Sequence, residues 1–325
     1  MSIERNAPVH LDPFDRSRRR FVASLGIAGA ALWAAPRWLS AQDTGIVAIA
    51  RGEAAKSEIT IRALRGNIHV LEGSGGNIGV FAGRDGKLMV DAGFPVSRPK
   101  IVAALQRISA DPIKQLVNTH WHFDHTDGNE WLHAAGATII AHDNTLRHLS
   151  RATRVAGWQY TFPKAPVGAL PTVVFSDEHR LHLNRSAIVL RHYTPSHTDS
   201  DISVQFVDAN ILMTGDTWWN GYFPFIDYST GGSLGGTIRA VEANIAAVAT
   251  DTIVVPGHGP VAGRAELLEC RDMLTTIRDA VAALKKQGRT LDETIAAKPT
   301  ARYDAKWGGF LISGAAFTGL VYQGV

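Results

Sequence analysis

Residues 119–129 read Thr-His-Trp-His-Phe-Asp-His-Thr-Asp-Gly-Asn. Four potential metal ligands, His120, His122, Asp124 and His125, are packed into this stretch. Gln115-Leu116-Val117, just before it, reads as a strand that runs into the cluster. Histidines two apart in extended chain project to one side. Asp124 and His125 come as the chain turns, so they face a second position close by. The arrangement suits a two-metal site. Imidazole with carboxylate favours zinc, with iron, manganese and cobalt as alternatives. A single histidine is ordinarily a core or surface residue. Three with an aspartate, packed this tightly, crowd donors and acceptors that all need partners.

Outward from the cluster, the chain alternates strands and helices. Ile59–Ile61, Ile68–Leu71, Asn77–Phe81 and Lys87–Val90 read as strands, with Arg84-Asp85-Gly86 a hairpin turn. Apolar positions 101, 102, 105 and 108 have helical spacing. A helix (128–135), a strand (138–141) and a short helix (143–149) follow the cluster. Residues 150–172 read as an irregular loop or insertion. A strand-rich block covers 172–214, followed by a helix at 235–249, a strand at 252–255 and a long helix at about 263–286. Two halves of sheet then helix fit an α+β sandwich with helices outside two sheets.

With that frame in place, the resemblance is to the metallo-β-lactamase superfamily. It is carried by His120-x-His122-x-Asp124-His125 and by three later positions, each just after an apolar strand. His197 lies in Tyr193-Thr194-Pro195-Ser196-His197-Thr198, Asp216 in Met213-Thr214-Gly215-Asp216, and His258 in Pro256-Gly257-His258-Gly259. The resemblance implies an αββα sandwich of two mixed β-sheets flanked by helices. It implies one metal on His120, His122 and His197, a second on Asp124, His125 and His258, and Asp216 bridging them. It further implies two zinc ions (other divalent metals also suit) and a metal-bridging hydroxide that attacks a carbonyl. Asp124 would orient it and shuttle the proton. Asp91, in Val90-Asp91-Ala92-Gly93, resembles the family's structural aspartate.

Position 216 separates readings within that family. True zinc β-lactamases generally carry cysteine or serine there, whereas an aspartate resembles hydroxyacylglutathione hydrolases, lactonases and other general hydrolases. The expected activity is opening of cyclic amides or esters, β-lactam or lactone-like, on a small-molecule substrate. Ester or thioester hydrolysis of the hydroxyacylglutathione hydrolase type is the alternative. A redox di-iron protein or a non-hydrolytic metal binder is the reading from another class; intact His122 argues against the first and a complete ligand set against the second. Trp218, Trp219 and Tyr222, in the aromatic stretch after Asp216, are candidate substrate-binding walls or core packing. Gly231–Gly236 reads as a mobile loop, and Gly73–Gly76 as a flap or a tight turn. His10, His69, His133, His142, His148, His179, His182 and His192 have no motif support.

Composition bounds the rest. Of 325 residues, 45% are hydrophobic, ample for a large core. Six arginines and three acids lie in 1–41, which leaves 27 basic and 27 acidic residues in 42–325. The remainder is formally neutral, with no electrostatic footprint for nucleic acid. Residues 17–22, Ser-Arg-Arg-Arg-Phe-Val, precede an apolar stretch from Phe21 to Ala35 and the small pair Ser40-Ala41. This resembles a twin-arginine export signal, implying the twin-arginine machinery as partner and a periplasmic destination. The apolar run is shorter than the roughly 20 residues a bilayer needs, so no stable membrane anchor is expected. The expected organisation is a signal over 1–41, a linker over 42–57, the catalytic domain over 58–290 and a C-terminal extension over 291–325 packing on it. Cys270, the lone cysteine, forms no intramolecular disulfide and reads as a small buried hydrophobe.

Overall fold

Alternation along the strands builds the architecture. The structure is a computed structural model that describes residues 45–193 and 195–325. The expected export signal therefore lies outside the described residues, as does His10. Strands β1 (Thr60–Ala63), β2 (Ile68–Glu72), β3 (Ile78–Phe81), β4 (Lys87–Val90), β5 (Ile113–Val117), β6 (Thr138–His142) and β9 (Val173–Phe175) form a seven-stranded sheet in that order. β1 to β4 pair antiparallel, and β4, β5, β6 and β9 parallel. Strands β10 (Glu178–Leu183), β11 (Ser186–His192), β12 (Ile202–Phe206), β13 (Ile211–Met213) and β14 (Ile253–Val255) form a five-stranded sheet. Its last pair is parallel and the others antiparallel.

Side chains on alternate sides of each strand go to different cores. Val70, Leu88, Val90 and Val117 meet Ile188, Leu190, Val204, Ile211 and Met213 between the two sheets. Leu71, Val80 and Met89 point the other way, onto Ile101 and Leu105 of helix α2 (Arg98–Ile108). Leu212 and Val254 point outward from the second sheet, onto helix α6 (Leu234–Ala247) and helix α7 (Arg264–Lys286). Helix α7 buries Leu267, Cys270, Leu274, Ile277 and Val281, a stripe of three- and four-residue steps. The layers run helix, sheet, sheet, helix, as the alternation predicts.

Three expectations change. Within the segment read as a linker, residues Ile46–Lys56 form helix α1, which buries Val47 and Ala54 and pairs Arg51 with Asp127 at 2.7 Å. Within the irregular segment, β7 (Thr153–Val155) and β8 (Tyr160–Phe162) make a short antiparallel ribbon, too brief for its period to register in sequence. The segment 231–236, read as a mobile loop, is packed, and its last three residues are the first turn of α6. Gly232 N donates to Asp227 O at 2.8 Å and Ser233 N to Ser196 O at 2.8 Å. A Cβ on Gly236 would meet Pro195 O at 1.6 Å, so glycine serves close approach there, not mobility. The turn at 73–76 is likewise held: next to it, Asn77 bonds the backbone of Pro256, Gly257 and Gly259.

Beyond α7, helices α8 (Leu291–Ala296), α9 (Ala301–Trp307) and α10 (Gly314–Gly324) return to the outer core of the second sheet. Trp307, Phe317 and Val321 are buried there, and Phe317 stacks on Phe223 at 4.8 Å and 10°. No helix among the described residues is long and apolar enough to cross a membrane.

Candidate metal centre

The donors sit at chain turns on one edge of the sandwich, where parallel strands of both sheets end. β5 delivers Asn118–His120; β13 delivers Asp216; β14 delivers His258; the turn between β11 and β12 delivers His197. Short helix α3 (Phe123–Thr126) carries Asp124 and His125, and Thr126 Oγ1 donates back to His122 O at 3.0 Å, closing the turn. All are buried except Asp124, whose side chain keeps 13% exposure against 7% or less for the other six.

The potential ligand atoms fall into two groups, each within 4.8 Å of one another: His120, His122, His197 and Asp216; and Asp124, His125 and His258. In the first, His197 Nε2 lies 2.9 Å from His122 Nδ1 and 3.5 Å from Asp216 Oδ2. In the second, Asp124 Oδ2 lies 3.5 Å from His125 Nε2 and 3.2 Å from His258 Nε2. Asp216 joins the groups: Oδ1 is 3.2 Å from His125 Nε2 and Oδ2 is 3.4 Å from His258 Nε2. Bond lengths of about 2.0–2.1 Å in a tetrahedron put ligand atoms roughly 3.3 Å apart, so these spacings accommodate one ion per group.

Hydrogen bonding on the outer face tests the fit more sharply. His125 Nδ1 donates to Asp91 Oδ2 at 2.8 Å, His197 Nδ1 to Phe225 O at 2.7 Å, and His122 Nε2 to Asp227 Oδ2 at 3.1 Å. Thr119 Oγ1 donates to Asp91 and so accepts from His120 Nδ1 at 3.2 Å. Each partner fixes a tautomer whose lone pair points inward. His120 Nε2, His125 Nε2 and Asp216 Oδ1 are buried with no hydrogen-bond partner. His122 Nδ1 and His197 Nε2 face each other lone pair to lone pair. A cation relieves such an arrangement, and the donor set is of the kind that could hold divalent metal ions.

Electrostatics agree. Burial pushes the His258 imidazole down, but Asp216 and Asp124 overcome it and hold its pKa at about 9. Burial also opposes charge on His125, and Asp216, Asp124 and Asp91 raise it well above the usual range. Burial raises the Asp216 carboxyl, and His258, His125 and His120 draw it well below. In the metal-free protein, protons occupy the place of the cations. The sign follows. A pKa raised from 6.5 to about 9 contributes stability that is complete below pH 6.5 and lost as pH rises through 9. Metal uptake must expel those protons, so affinity rises over the same interval. Thermal unfolding of chelator-treated protein from pH 6 to 10 should show a falling midpoint, and competition titration should show tightening zinc binding; flat profiles contradict the assignment.

Sequence reasoning missed Asp227. It is the lone acid in the aromatic run 222–228 and receives His122, Ser229 Oγ and Thr230 Oγ1. Burial raises its carboxyl, but those hydrogen bonds hold it at about 2. Asp227→Asn should weaken metal affinity about 10- to 100-fold, the usual cost of losing a ligand's outer partner; competition titration with a chromophoric chelator measures it. Asp91 also has φ +66°, a left-handed conformation held by its bonds to Thr119 and His125. Of the three aromatic candidates, Trp219 and Tyr222 lie by the site. Trp219 packs on His258 at 4.6 Å, and Tyr222 on Phe310 at 4.7 Å. Trp218 does not line it: fully buried in the outer core, it makes no ring contact with a donor imidazole. Neighbours in extended chain point to opposite sides, and residue 218 is extended.

A two-sheet sandwich with paired His/Asp donor groups at its strand ends defines a metal-binding protein. The chain belongs to the metallo-beta-lactamase superfamily, whose family model matches residues 71–275. It is similar to a linear primary-alkylsulfatase from Pseudomonas sp., 24% identical over 251 residues, covering 65% of this chain and 47% of that protein. It is also similar to the hydroxyacylglutathione hydrolase of Rhodospirillum rubrum, 28% identical over 147 residues, 45% of this chain and 48% of that one. The chain thus spans about half the length of these curated relatives. Among solved structures, the inverting sec-alkylsulfatase Pisa1 from Pseudomonas sp. superposes with a TM-score of 0.61 at 16% identity, covering 83% of this chain and 51% of that one. The DIM-1 metallo-beta-lactamase superposes at 0.55 with 19% identity, covering 67% and 98%. At such identities the structures speak to the fold.

Proposed function

We propose that this chain is an exported dinuclear zinc hydrolase that opens cyclic amides or esters of the β-lactam or lactone kind. The observation that carries the dinuclear reading is Asp216, whose two oxygens reach both donor groups within 3.5 Å. Divalent ions held there supply Lewis-acid polarisation and a water acidified toward neutral pH. The protein's own residues do the rest. Asp91, Asp227, Thr119 and the Phe225 carbonyl hold four imidazoles in one tautomer. Asp124 is the most exposed donor, and its carboxylate orients the attacking water and accepts its proton. A second reading, cleavage of acyclic esters, thioesters or sulfate esters, is favoured by Asp216 itself and by the alkylsulfatase and hydroxyacylglutathione hydrolase relatives.

A panel on the zinc-loaded mature protein separates them: a penicillin, a lactone, an acylglutathione thioester and a primary alkyl sulfate. Opening of the lactam or lactone supports the first reading. Turnover of the acyclic substrates alone replaces it with the second. Metal analysis with an absorption spectrum separates zinc from a redox iron pair. Export rests on the arginine pair in the leader. Arg18→Lys with Arg19→Lys should strand the precursor in the cytoplasm, and undiminished periplasmic protein in a fractionation experiment would mean the leader works another way.

A further inference from the structure

A buried imidazole nitrogen outside the metal centre is left without a partner. His148 lies in the last turn of the helix Asp143–Leu149 and is 5% exposed. Its Nε2 donates to Asp199 Oδ1 at 2.8 Å, since an ionised carboxylate only accepts. Its Nδ1 meets no hydrogen-bond partner among the described residues. A buried polar atom left unpaired is costly, so this one asks what it is kept for.

His148 lines a cavity of about 380 Å³, the size of a small-molecule site. Arg151, Thr153, Arg154, Ser229 and Thr230 line it too, and no carboxylate does. The acids close by are already engaged. Asp199 receives His148, and Asp227 receives His122, Ser229 and Thr230. Both arginines are exposed, and among the described residues neither makes a salt bridge. Arg154 Nη1 meets Thr161 Oγ1 at 3.5 Å. Two exposed arginines alone would be a solvated surface. Two arginines, no acid and an unpaired buried imidazole nitrogen around one cavity make a receptor for an anion.

We propose that this cavity binds a phosphate group, free or on a small monoester. Arginine forks match phosphate oxygens with paired bonds. His148 Nδ1 offers a lone pair when the ring is neutral and an N–H when it is charged. Phosphate answers both, because its oxygens accept when bare and donate when protonated, with a second pKa of about 6. The site is separate from the metal centre, and none of its residues is a metal donor. Trp121 stands between them, packing on His122 at 4.9 Å and on His148 at 5.1 Å. Binding there requires no hydrolysis at the metals, so its failure and that of the hydrolase reading are independent.

The test is calorimetric titration of zinc-loaded protein with inorganic phosphate, glycerol phosphate and glycerol, at constant ionic strength. Wild type should bind both phosphates saturably and glycerol not at all. The tighter of the two phosphates identifies the source, free or esterified. Arg151→Gln with Arg154→Gln removes two charges from exposed positions and should weaken phosphate binding by about 10-fold or more, the scale of a charge-assisted hydrogen bond. His148→Gln keeps an amide N–H for Asp199 and removes Nδ1, and it should weaken binding by a similar factor. Zinc stoichiometry should stay at the wild-type value in both variants. No saturable binding by wild type, or equal binding of glycerol and glycerol phosphate, overturns the proposal. Phosphate binding that neither variant weakens also overturns it, because the phosphate then sits on the zinc ions.

Discussion

Asp124→Asn should lower turnover by about 100- to 10,000-fold, the usual contribution of one positioned acid–base group. The substitution keeps the side chain's shape and removes its charge. Two effects combine. Asp124 Oδ2 stands 3.5 Å from His125 Nε2 and 3.2 Å from His258 Nε2, so the second donor group loses its anion. Asp124 is also the donor with the most open side chain, and the proposed reaction loses with it the group that orients water and accepts its proton. A zinc titration separates the two. His258→Ala loses activity through metal binding alone, and excess zinc should recover part of it. Excess zinc should recover less in Asp124→Asn. Near-wild-type turnover of Asp124→Asn with one metal bound would show that neither role belongs to it.

Gly257→Ala should unload the metal centre although no ligand is touched. Gly257 follows β14 and immediately precedes His258. A Cβ there would lie 1.9 Å from Asp216 Oδ1 and 2.7 Å from Gly215 C. Asp216 is confined by four imidazoles and cannot move aside without leaving both donor groups. Nor can the backbone retreat, because Gly257 N donates to Gly215 O at 2.8 Å and to Trp218 O at 3.1 Å. Forcing one carbon into a packed interior costs about 1–3 kcal/mol, which for a domain of this size lowers the melting temperature by roughly 2–4 °C per kcal/mol. Elemental analysis should fall from two metals per chain toward none. Gly319→Ala is the control: nothing lies within 4 Å of the position its Cβ would take, and α10 should gain slightly from alanine. Two metals retained in Gly257→Ala would mean that Asp216 is not wedged as described.

The elements that hold the core were legible because their periods are strict. The runs Leu88–Val90 and Ile211–Met213 are apolar throughout, as strands buried on both faces are, and the three- and four-residue steps of α7 mark its buried stripe. Helix α1 and the ribbon of β7 and β8 were not legible, since α1 buries only two residues and each ribbon strand has three. The ligand set was legible for a different reason: metal binding restricts residue type so strongly that seven His and Asp at strand ends stand out from any background.

What surrounds the ligands was decided only by folding. Asp227 is 105 residues from His122, and nothing in the run Phe223–Tyr228 marks its acid as the partner that fixes a tautomer. Trp218 and Trp219 are indistinguishable as letters; extended backbone sends one to the core and the other to His258. Phe310 is separated by 52 residues from the histidine it covers and joins the site because α9 and α10 dock on the outer sheet. The sequence by itself determined which atoms can bind metal, because that is a property of side-chain chemistry and strand register. Which groups orient those atoms, and which rings shape the space before them, depends on distances between segments remote in the chain, and only the tertiary structure sets those.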